Sequence, residues 1–186
     1  MNLRPILELD ARLSDQMRVA EKPGALRSIS AFFASSGDSW FWAIGLFSLW
    51  ISGNSFWKQW AVAQIAGISV LAALVMSIKF LVRRKRPEGE WGNIYRSTDP
   101  HSFPSGHAAR SFLIAVVATG LGPDGAAIVL WIWAPLVALA RVAMGVHYVS
   151  DIVAGAAVGI VFALIGLQIY EPLFHWVSSL IGFPLW

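Results

Sequence analysis

The chain has no cysteine among its 186 residues. This absence excludes a disulfide framework, a thiol nucleophile and a cysteine-ligated metal. Charged residues are also scarce, at 13% of the chain, whereas hydrophobic residues make up 56%. A soluble globular domain carries about 25% charged residues. Because the deficit comes from long apolar runs with almost no charge, the sequence indicates a protein whose solvent is a lipid bilayer.

Known nucleic-acid-binding motifs are absent too, and the basic residues cluster beside apolar runs. No nucleic-acid partner is therefore expected. The net charge is only +3. A cleavable signal peptide is not expected, because Glu8 and Asp10 interrupt any apolar core near the N-terminus. At this length we expect a single membrane domain over residues 1–186.

Residues 1–37 carry the pattern of short amphipathic helices. Apolar residues recur every three or four positions between residues 5 and 20, and a second such piece follows Pro23. Helices of this kind lie in the membrane interface, with the apolar face toward the acyl chains. We therefore expect an amphipathic interfacial segment over 1–37, with a sixth span over residues 20–36 as the alternative.

Residues 38–170 carry the apolar runs that predict a transmembrane bundle. The first run is short, since a spanning helix needs about 20 residues. Pro135 predicts a kink, and the last span is expected to end before Glu171 and Pro172, which leaves residues 171–186 as an interfacial tail. The predicted spans are residues 39–52, 58–83, 105–121, 125–144 and 147–170. The predicted fold class is all-α: an integral membrane helix bundle of five to six spans with N-terminal interfacial amphipathic helices.

Small and aromatic residues indicate how these helices sit in the bilayer. Gly155 and Gly159 are about one helical turn apart and form a seam of the kind that lets helices approach closely in lipid, with ordinary core packing as the alternative. Ten tryptophans, several of them near span ends, suit a belt at the membrane interface.

The stretch Phe103–Ser111 places a proline, a serine, a glycine and a histidine directly before an apolar helix. Such a helix start directs unpaired backbone N–H groups and the positive end of the helix dipole at one point, which suits an anion. Ser105 can cap the helix, Gly106 allows a ligand to approach the backbone closely, and His107 titrates near neutral pH. Taken alone, the stretch is equally well explained as a capped helix start at the membrane surface.

A group of cations lies at the end of the predicted span 58–83. Lys79 and Arg86 are seven positions apart, which is two helical turns, so we expect them on the same helix face, with Arg83 nearby. Pro87 is expected to end this helix. Ionisable residues inside or beside membrane spans are functional candidates by default.

A third polar group consists of Arg141, His147 and Asp151. The histidine and the aspartate are four positions apart, so on a helix the carboxylate can accept a hydrogen bond from one imidazole nitrogen. The other nitrogen is then free to act as a nucleophile. Because the chain reverses direction at each span, all three groups are expected at the same membrane surface. Cations, helix-start N–H groups and two imidazoles at that surface describe a site for a phosphate group on a lipid.

These residues together resemble the three-part signature of the type-2 phosphatidic acid phosphatase superfamily. The matching motifs are Lys79-(six residues)-Arg86-Pro87, Pro104-Ser105-Gly106-His107 and Arg141-(five residues)-His147-(three residues)-Asp151. One position departs from the pattern, because the third motif often opens with serine and this chain has Ala140. That change removes one possible hydrogen bond near Arg141 and none of the reacting groups, so it bears on substrate affinity rather than on activity.

The resemblance implies a membrane lipid phosphatase that works through a phosphohistidine intermediate. His147 would attack phosphorus while Asp151 holds its imidazole, and His107 would protonate the leaving group and then deprotonate water. The residues expected to bind the phosphate oxygens are Lys79, Arg86, Ser105, Gly106 and Arg141. No metal and no cofactor is required, because the cations stabilise the charge of the transferring phosphoryl group.

Other charged residues near the motifs are expected to have roles outside the chemistry. The loop acids lack metal-ligand spacing and are expected to be solvated: Glu88, Glu90 and Asp99. Arg84 and Lys85 are expected to contact lipid head groups.

Three residues near the motifs keep open roles. Arg110 has three candidate roles, which are pairing with the substrate phosphate, pairing with Asp151, or snorkelling to the membrane surface. Arg83 is given no role. His101 is expected to be a solvated loop residue, with a head-group contact as the alternative.

Several phosphorylated lipids are compatible with a site at the membrane surface. The short loop between the first two motifs argues against a large head-group domain. It favours an isoprenyl pyrophosphate or a simple phospholipid phosphate such as phosphatidate or phosphatidylglycerophosphate. The alternatives are a lipid phosphotransferase that uses the same intermediate and a non-catalytic phospholipid-binding membrane protein. The expected partners are the lipid substrate and the bilayer, and the oligomeric state is left open.

We expect the protein to be integral to the plasma (inner) membrane, with the side of the site left open. With five spans, the N-terminal segment shares the catalytic side. The basic residues there, Arg96 included, then place that side in the cytoplasm by the positive-inside tendency. The resemblance implies the outer face instead. A sixth span over residues 20–36 would remove this conflict.

Overall fold

The computed structural model describes residues 4–89, 91 and 99–182. Glu90 and Arg96 therefore lie outside the described residues. The helices within the described ranges are α1 (Arg4–Gln16), α2 (Ala25–Ser36), α3 (Ser39–Ser52), α4 (Ser55–Val82), α5 (Gly106–Leu121), α6 (Asp124–Ala143) and α7 (Val149–Ile181). No β-strand occurs in these ranges. The predicted all-α class is confirmed.

Five helices, α3 to α7, run between the two faces of the bundle. Helices α4, α6 and α7 are long and apolar enough to span a membrane, and α3 and α5 are shorter apolar helices. Large apolar side chains such as Leu81 and Ile128 face outward, as lipid contact requires. Helix α2 covers only Ala25–Ser36, and residues 20–24 before it are not helical. The alternative sixth span over residues 20–36 is therefore not formed.

Helix α4 ends earlier than the sequence pattern predicts. Its last helical residue is Val82, and Arg83 follows in the left-handed region with φ 53°, where it donates its N–H to the Lys79 carbonyl at 2.9 Å. This cap turns the chain away before Arg86. The prediction that Lys79 and Arg86 share a helix face is therefore wrong, and Pro87 lies beyond the turn rather than at the helix end.

Helix α7 continues where a break was predicted. Pro172 lies inside the helix, although proline removes one backbone hydrogen bond. Residues on both sides of it are buried, since Tyr170 and Phe174 belong to the core and their ring centroids are 4.6 Å apart.

 Packing of Phe174 in the apolar core therefore outweighs the helix-breaking preference, and the expected end before Glu171 does not occur. Within the predicted tail, residues 183–186 lie outside the described residues.

Helix α5 is the central helix of the bundle. It packs against α4, α6 and α7, and residues along its length, such as Ala109 and Ala118, are fully buried. On α7, a Cβ at Gly155 would overlap the Ser105 carbonyl. A Cβ at Gly159 would overlap the Ala109 carbonyl. The small-residue seam therefore brings the two helices into backbone contact and holds the start of α5 beside the start of α7.

Helix α1 presents its polar face to the protein. Asp10 and Ser14 are its buried residues, whereas its large apolar side chains, such as Leu9, are exposed. The Ser14 hydroxyl accepts the Val149 N–H at 3.0 Å. Asp10 Oδ1 accepts the Ser150 N–H at 2.9 Å. Helix α1 thus lies against the start of α7 with its apolar face outward, as predicted for an interfacial helix.

Candidate active site

Five helix ends meet at one end of the bundle: the starts of α3, α5 and α7 and the ends of α4 and α6. They enclose a cavity of about 420 Å³. The predicted site residues that line it are Lys79, Arg86, Gly106, His107, Arg141 and His147. Ser105 and Asp151 do not line the cavity but are fully buried next to residues that do. The three motifs therefore converge as the alternation of the spans predicts.

The start of α5 provides a helix N-terminus at the cavity. The helix begins at Gly106, and the hydroxyl of Ser105, its N-cap, accepts the Ala108 N–H at 3.4 Å. The Ser105 N–H donates to the Asp151 carbonyl at 2.9 Å, which ties the second motif to the third. Since the N–H groups of a first helical turn have no partner inside the helix, this turn can bind an anion.

His147 and Asp151 lie together, although not on one helix. Helix α7 begins at Val149, so His147 belongs to the turn before it, and the expectation of a shared helix is wrong. Asp151 Oδ2 lies 3.4 Å from His147 Nδ1, just beyond the usual hydrogen-bond range, and accepts the Tyr148 N–H at 2.9 Å. The helix start thus holds the carboxylate beside one ring nitrogen. The other nitrogen, Nε2, lies 3.2 Å from Arg86 Nη1.

The surroundings of His147 favour its neutral form. Its side chain is 1% exposed. Burial is the largest cause of a pKa well below the ordinary histidine value, and the charges of Arg86, Arg141 and Lys79 lower that pKa further. A neutral imidazole keeps the lone pair that a nucleophile requires. The cations around His147 therefore keep it neutral and also attract an anionic phosphate.

The cations of the first motif meet at a carboxylate. Lys79 Nζ and Arg86 Nη2 lie 2.6 and 2.7 Å from the same oxygen, Asp99 Oδ2. Arg86 also donates to the Val146 carbonyl at 2.9 Å, which fixes its guanidinium next to the third motif. The expectation that Asp99 is solvated is wrong, because buried cations in an apolar bundle require an anion. The carboxylate oxygen marks a position where the cavity binds negative charge.

Arg84 supports the third motif, and its expected contact with lipid head groups is wrong. Its guanidinium donates to Asp151 Oδ1 at 2.8 Å and to Asp10 Oδ2 at 2.7 Å. The guanidinium carbon also lies 3.9 Å from the centroid of the Tyr148 ring. Through Asp10 and Arg84, helix α1 therefore helps to hold the carboxylate beside His147.

Arg110 binds the corner between α2 and α3. Its Nε donates to the Gly37 carbonyl at 2.9 Å, its Nη2 donates to the same oxygen, and its Nη1 donates to the Ser39 hydroxyl. The residue is 8% exposed, so it does not snorkel to the surface. Of the hydrogen bonds found in the described residues, none joins Arg110 to Asp151. Its role in the folded chain is to anchor this corner next to the cavity.

Sequence reasoning missed Asp38. Its Oδ1 lies 2.8 Å from Nε2 of His107, and the two residues are 69 positions apart. The available signal was a carboxylate directly before a short apolar span, on the side of the membrane where the motifs converge. That signal does not identify the residue with which the carboxylate pairs.

The other residues with open roles lie at the edge of the site. The His101 carbonyl accepts a hydrogen bond from Lys79 Nζ at 2.8 Å, and its ring meets Phe80 edge-on. Arg83 is exposed and donates to the Phe80 carbonyl at 2.8 Å. Glu88 is exposed, as predicted. The cavity is therefore lined by cations and imidazoles, and no group of three or more metal-ligating side chains occurs among the residues that the structure describes.

The match to a family model covers most of the bundle. Residues 60–174 match the model described as the PAP2 superfamily. This range contains all three motifs, from Lys79 to Asp151, and most of the length of helices α4 to α7.

Individual proteins are similar to the chain as well. It is 31% identical over 193 residues to the probable lipid phosphate phosphatase beta of Arabidopsis thaliana, with 88% of this chain and 90% of that protein covered. It is 40% identical over 106 residues to the decaprenylphosphoryl-5-phosphoribose phosphatase of Mycobacterium tuberculosis, a match to 55% of this chain and 56% of that relative. The crystal structure of Aquifex aeolicus LpxE has a similar fold, with a TM-score of 0.65, 28% identity, and coverage of 87% of this chain and 94% of that chain.

Proposed function

The chain belongs to the PAP2 superfamily, and from this membership and the geometry of the cavity we infer that it is an integral-membrane lipid phosphatase. One observation carries this conclusion. Two imidazoles, His107 and His147, line the same cavity as four buried cations. Binding a phospholipid requires the cations, but it does not require two imidazoles that each lie next to a carboxylate.

In the first step that we propose, His147 Nε2 attacks the terminal phosphorus in line with the bond to the leaving oxygen. That oxygen belongs to the lipid alcohol of a monophosphate, or to the lipid monophosphate that a pyrophosphate releases. The nitrogen–phosphorus bond forms as the phosphorus–oxygen bond breaks, and His107 gives a proton to the leaving oxygen. Asp151 stabilises the positive charge that develops on the His147 ring. The groups proposed to hold the other phosphate oxygens are Lys79, Arg86, Arg141, the Ser105 hydroxyl and the Gly106 N–H.

In the second step, water attacks the phosphohistidine. His107 now accepts a proton from the water, and the nitrogen–phosphorus bond to His147 breaks. Inorganic phosphate leaves, and both imidazoles return to their starting states. Because Asp99 Oδ2 already lies between Lys79 and Arg86, we propose that the substrate phosphate displaces this carboxylate when it binds.

The lipid part of the substrate is proposed to lie between α3 and α4. The cavity continues from the cations along apolar residues of α4, among them Leu71 and Val75. A second groove of about 550 Å³, lined mostly by apolar residues of α3 and α4, shares Ile68 and Ala72 with the cavity. This continuity supports a substrate whose phosphate reaches the cations while its chain stays in the bilayer.

We propose an isoprenyl phosphate or pyrophosphate, or a phospholipid of the phosphatidate or phosphatidylglycerophosphate type, as the substrate class. The two relatives are named for a lipid phosphate and for a decaprenylphosphoryl compound, which supports a phosphate group carried by a lipid. We propose the plasma (inner) membrane as the location. The basic residues near the catalytic end suit a membrane with an anionic leaflet.

The function is tested by phosphate release from purified full-length protein in detergent. The panel contains isoprenyl monophosphate, isoprenyl pyrophosphate, phosphatidate and phosphatidylglycerophosphate. We expect release from at least one of these lipids, with no release by His147→Ala and a loss of about a hundredfold or more in His107→Ala.

The matched control is His175→Ala, the same change at an exposed position of α7 outside the cavity. It should keep wild-type activity. Wild-type turnover by His147→Ala would contradict the mechanism. Phosphate found on an added acceptor alcohol, rather than free in solution, would identify a phosphotransferase instead.

A further inference from the structure

Asp38 lies at the corner between α2 and α3, directly before the first residue of α3. An aspartate at this position ordinarily caps the helix through its side chain, but the Asp38 carboxylate makes no such bond. Its Oδ1 instead lies 2.8 Å from Nε2 of His107, and both residues line the cavity. The carboxylate therefore serves a distant residue, 69 positions away, rather than the helix that it begins.

The corner is held firmly against one edge of the His107 ring. Arg110 donates two hydrogen bonds to the Gly37 carbonyl and so anchors the backbone before Asp38. A Cβ on Gly37 would lie 3.1 Å from His107 Cδ2 and 2.7 Å from a Val137 methyl group. The corner thus packs against the Cδ2–Nε2 edge of the imidazole, and Nδ1 lies on the other side of the ring.

We propose that Asp38 is a positioning residue for His107. It holds the imidazole with a proton on Nε2 and stabilises the imidazolium, so that Nδ1 is the nitrogen that exchanges a proton with the substrate. The inference rests on the proposed phosphatase function and adds a second carboxylate–imidazole pair to it. Asp151 and His147 form the first pair, in which the reacting nitrogen has to be unprotonated. In the second pair the reacting nitrogen has to carry a proton when the reaction begins.

His107 loses one proton in the first step and regains one in the second. In the form that reacts, His107 carries a proton on each nitrogen, and the Nε2–H donates to Asp38. As the phosphorus–oxygen bond breaks, the Nδ1 proton passes to the lipid oxygen, and the lipid leaves as its alcohol. In the second step Nδ1 takes a proton from the water whose oxygen bonds to phosphorus, while the bond to His147 breaks. His107 is again an imidazolium, and Asp38 stays ionised throughout.

The charges around His107 explain why it needs a carboxylate. The other charged or titratable side chains that line the same cavity are Lys79, Arg86, Asp99, Arg110, Arg141 and His147. Most of them are cationic, so an imidazolium among them is disfavoured unless a carboxylate compensates. The hydrogen bond with His107 is the largest cause of a lowered pKa at Asp38, and the charges of Arg141 and Arg110 also lower that pKa.

The test compares two substrates whose leaving groups differ in their need for a proton. The first is phosphatidate or isoprenyl monophosphate, whichever the wild type hydrolyses faster, because its alkoxide requires a general acid. The second is p-nitrophenyl phosphate, whose phenolate leaves without one. The measured quantity is kcat/KM, which reports the steps up to the phosphohistidine.

For Asp38→Asn we expect kcat/KM on the lipid monophosphate to fall on the order of a hundredfold, and on p-nitrophenyl phosphate by less than about threefold. Asp38→Glu keeps the charge and should recover most of the lost activity on the lipid. Glu8→Gln, which removes an exposed carboxylate on α1, is the matched control and should leave both values unchanged.

An equal loss on the two substrates, or wild-type values in Asp38→Asn, would overturn the proposal. If thermal unfolding in detergent shows that Asp38→Asn is not folded, the same ratio is measured in Asp38→Ser, whose hydroxyl can cap α3. Failure of the wild type to release phosphate from either substrate would contradict the proposed function instead. The two failures are therefore distinguishable.

Discussion

At the scale of single residues, each imidazole of the site has a carboxylate beside one of its nitrogens. Asp151 lies 3.4 Å from Nδ1 of His147. Asp38 lies 2.8 Å from Nε2 of His107. In a cavity lined by cations, each carboxylate favours the protonated form of the ring next to it. The nitrogen opposite each carboxylate is the one that we expect to react.

The lowered pKa of His147 predicts the pH dependence of the first step. Burial, Arg86 and Arg141 hold this pKa well below 6.5, the ordinary histidine value, so the ring stays neutral as the pH falls through 6.5. With p-nitrophenyl phosphate, whose leaving group needs no acid, we expect kcat/KM to stay level down to about pH 6.5 and to fall only below it, where His147 gains a proton. A half-loss of kcat/KM at about pH 7 or above would contradict this.

The shape of the Arg86 side chain is expected to matter as much as its charge. Its guanidinium uses all three nitrogens to contact Asp99, the Val146 carbonyl and His147. Lysine keeps the charge but supplies its donors from one atom. Since a hydrogen bond to a charged group contributes ~1.5–3 kcal/mol, Arg86→Lys should lower kcat/KM about tenfold to a hundredfold. Arg83→Lys, at the exposed cap of α4, is the control, and equal kcat/KM values for the two variants would contradict the prediction.

At the scale of helices, the site depends on the contact between α5 and α7. Helix α5 carries His107 and α7 carries Asp151, so the separation of the two helix starts sets the separation of these groups. The glycine seam on α7 allows the backbones to touch. A larger residue in the seam moves the two helices apart, because the obstructing atom is a main-chain carbonyl that cannot rotate away.

This contact is tested by two glycine substitutions on the same helix. A Cβ at Gly159 would overlap the Ala109 carbonyl, whereas nothing lies within 4 Å of a Cβ at Gly166. Gly159→Ala should lower the thermal unfolding temperature in detergent, because overpacking lowers the free energy of unfolding by ~1–3 kcal/mol. Gly166→Ala should leave it unchanged or raise it, because alanine is the better helix former. Circular dichroism measures both, and equal unfolding temperatures would show that α5 and α7 are not in contact at the seam.

Helix α1 connects the membrane surface to the third motif. Its apolar face is outward, and its polar face holds Arg84 through Asp10. Arg84 in turn holds Asp151. A short amphipathic helix at the N-terminus is thus part of the framework that orients a residue near the other end of the chain.

At the scale of the whole molecule, the number of crossing helices decides which face carries the N-terminal charges. Because α2 does not span the bilayer and α1 docks on the start of α7, the N-terminal segment shares a face with the cavity. The sixth span that would have moved these basic residues to the other face is not formed. The positive-inside tendency therefore predicts that the cavity faces the cytoplasm.

This topology is tested by single-cysteine labelling, which the absence of native cysteine makes straightforward. Glu8→Cys, exposed on α1, should react with a membrane-impermeant maleimide only after cells are permeabilised. Ser55→Cys, at the start of α4 on the opposite face, should react in intact cells. The reverse pattern would place the cavity on the outer face, as the resemblance to the superfamily implies. Position 96 lies outside the described residues, so Glu8 is the better probe.

The sequence by itself determined the membrane class, the crossing segments and the residues of the three motifs that line one cavity. These properties are encoded locally, in apolar runs, in motif spacing and in a chain that reverses at each span. The resemblance to the superfamily rests on the same short motifs.

Only the tertiary structure decided where helices end and which charges pair. The left-handed cap at Arg83 and the burial of residues around Pro172 depend on neighbours that no local pattern shows. Asp38 pairs with His107, which is 69 positions away, and Asp99 pairs with Lys79, which is 20 positions away. Arg84 pairs with Asp10 over 74 positions. Burial in a medium of low dielectric requires that each charge has an opposite charge nearby. Only the packing of the helices determines which opposite charge lies next to each of them.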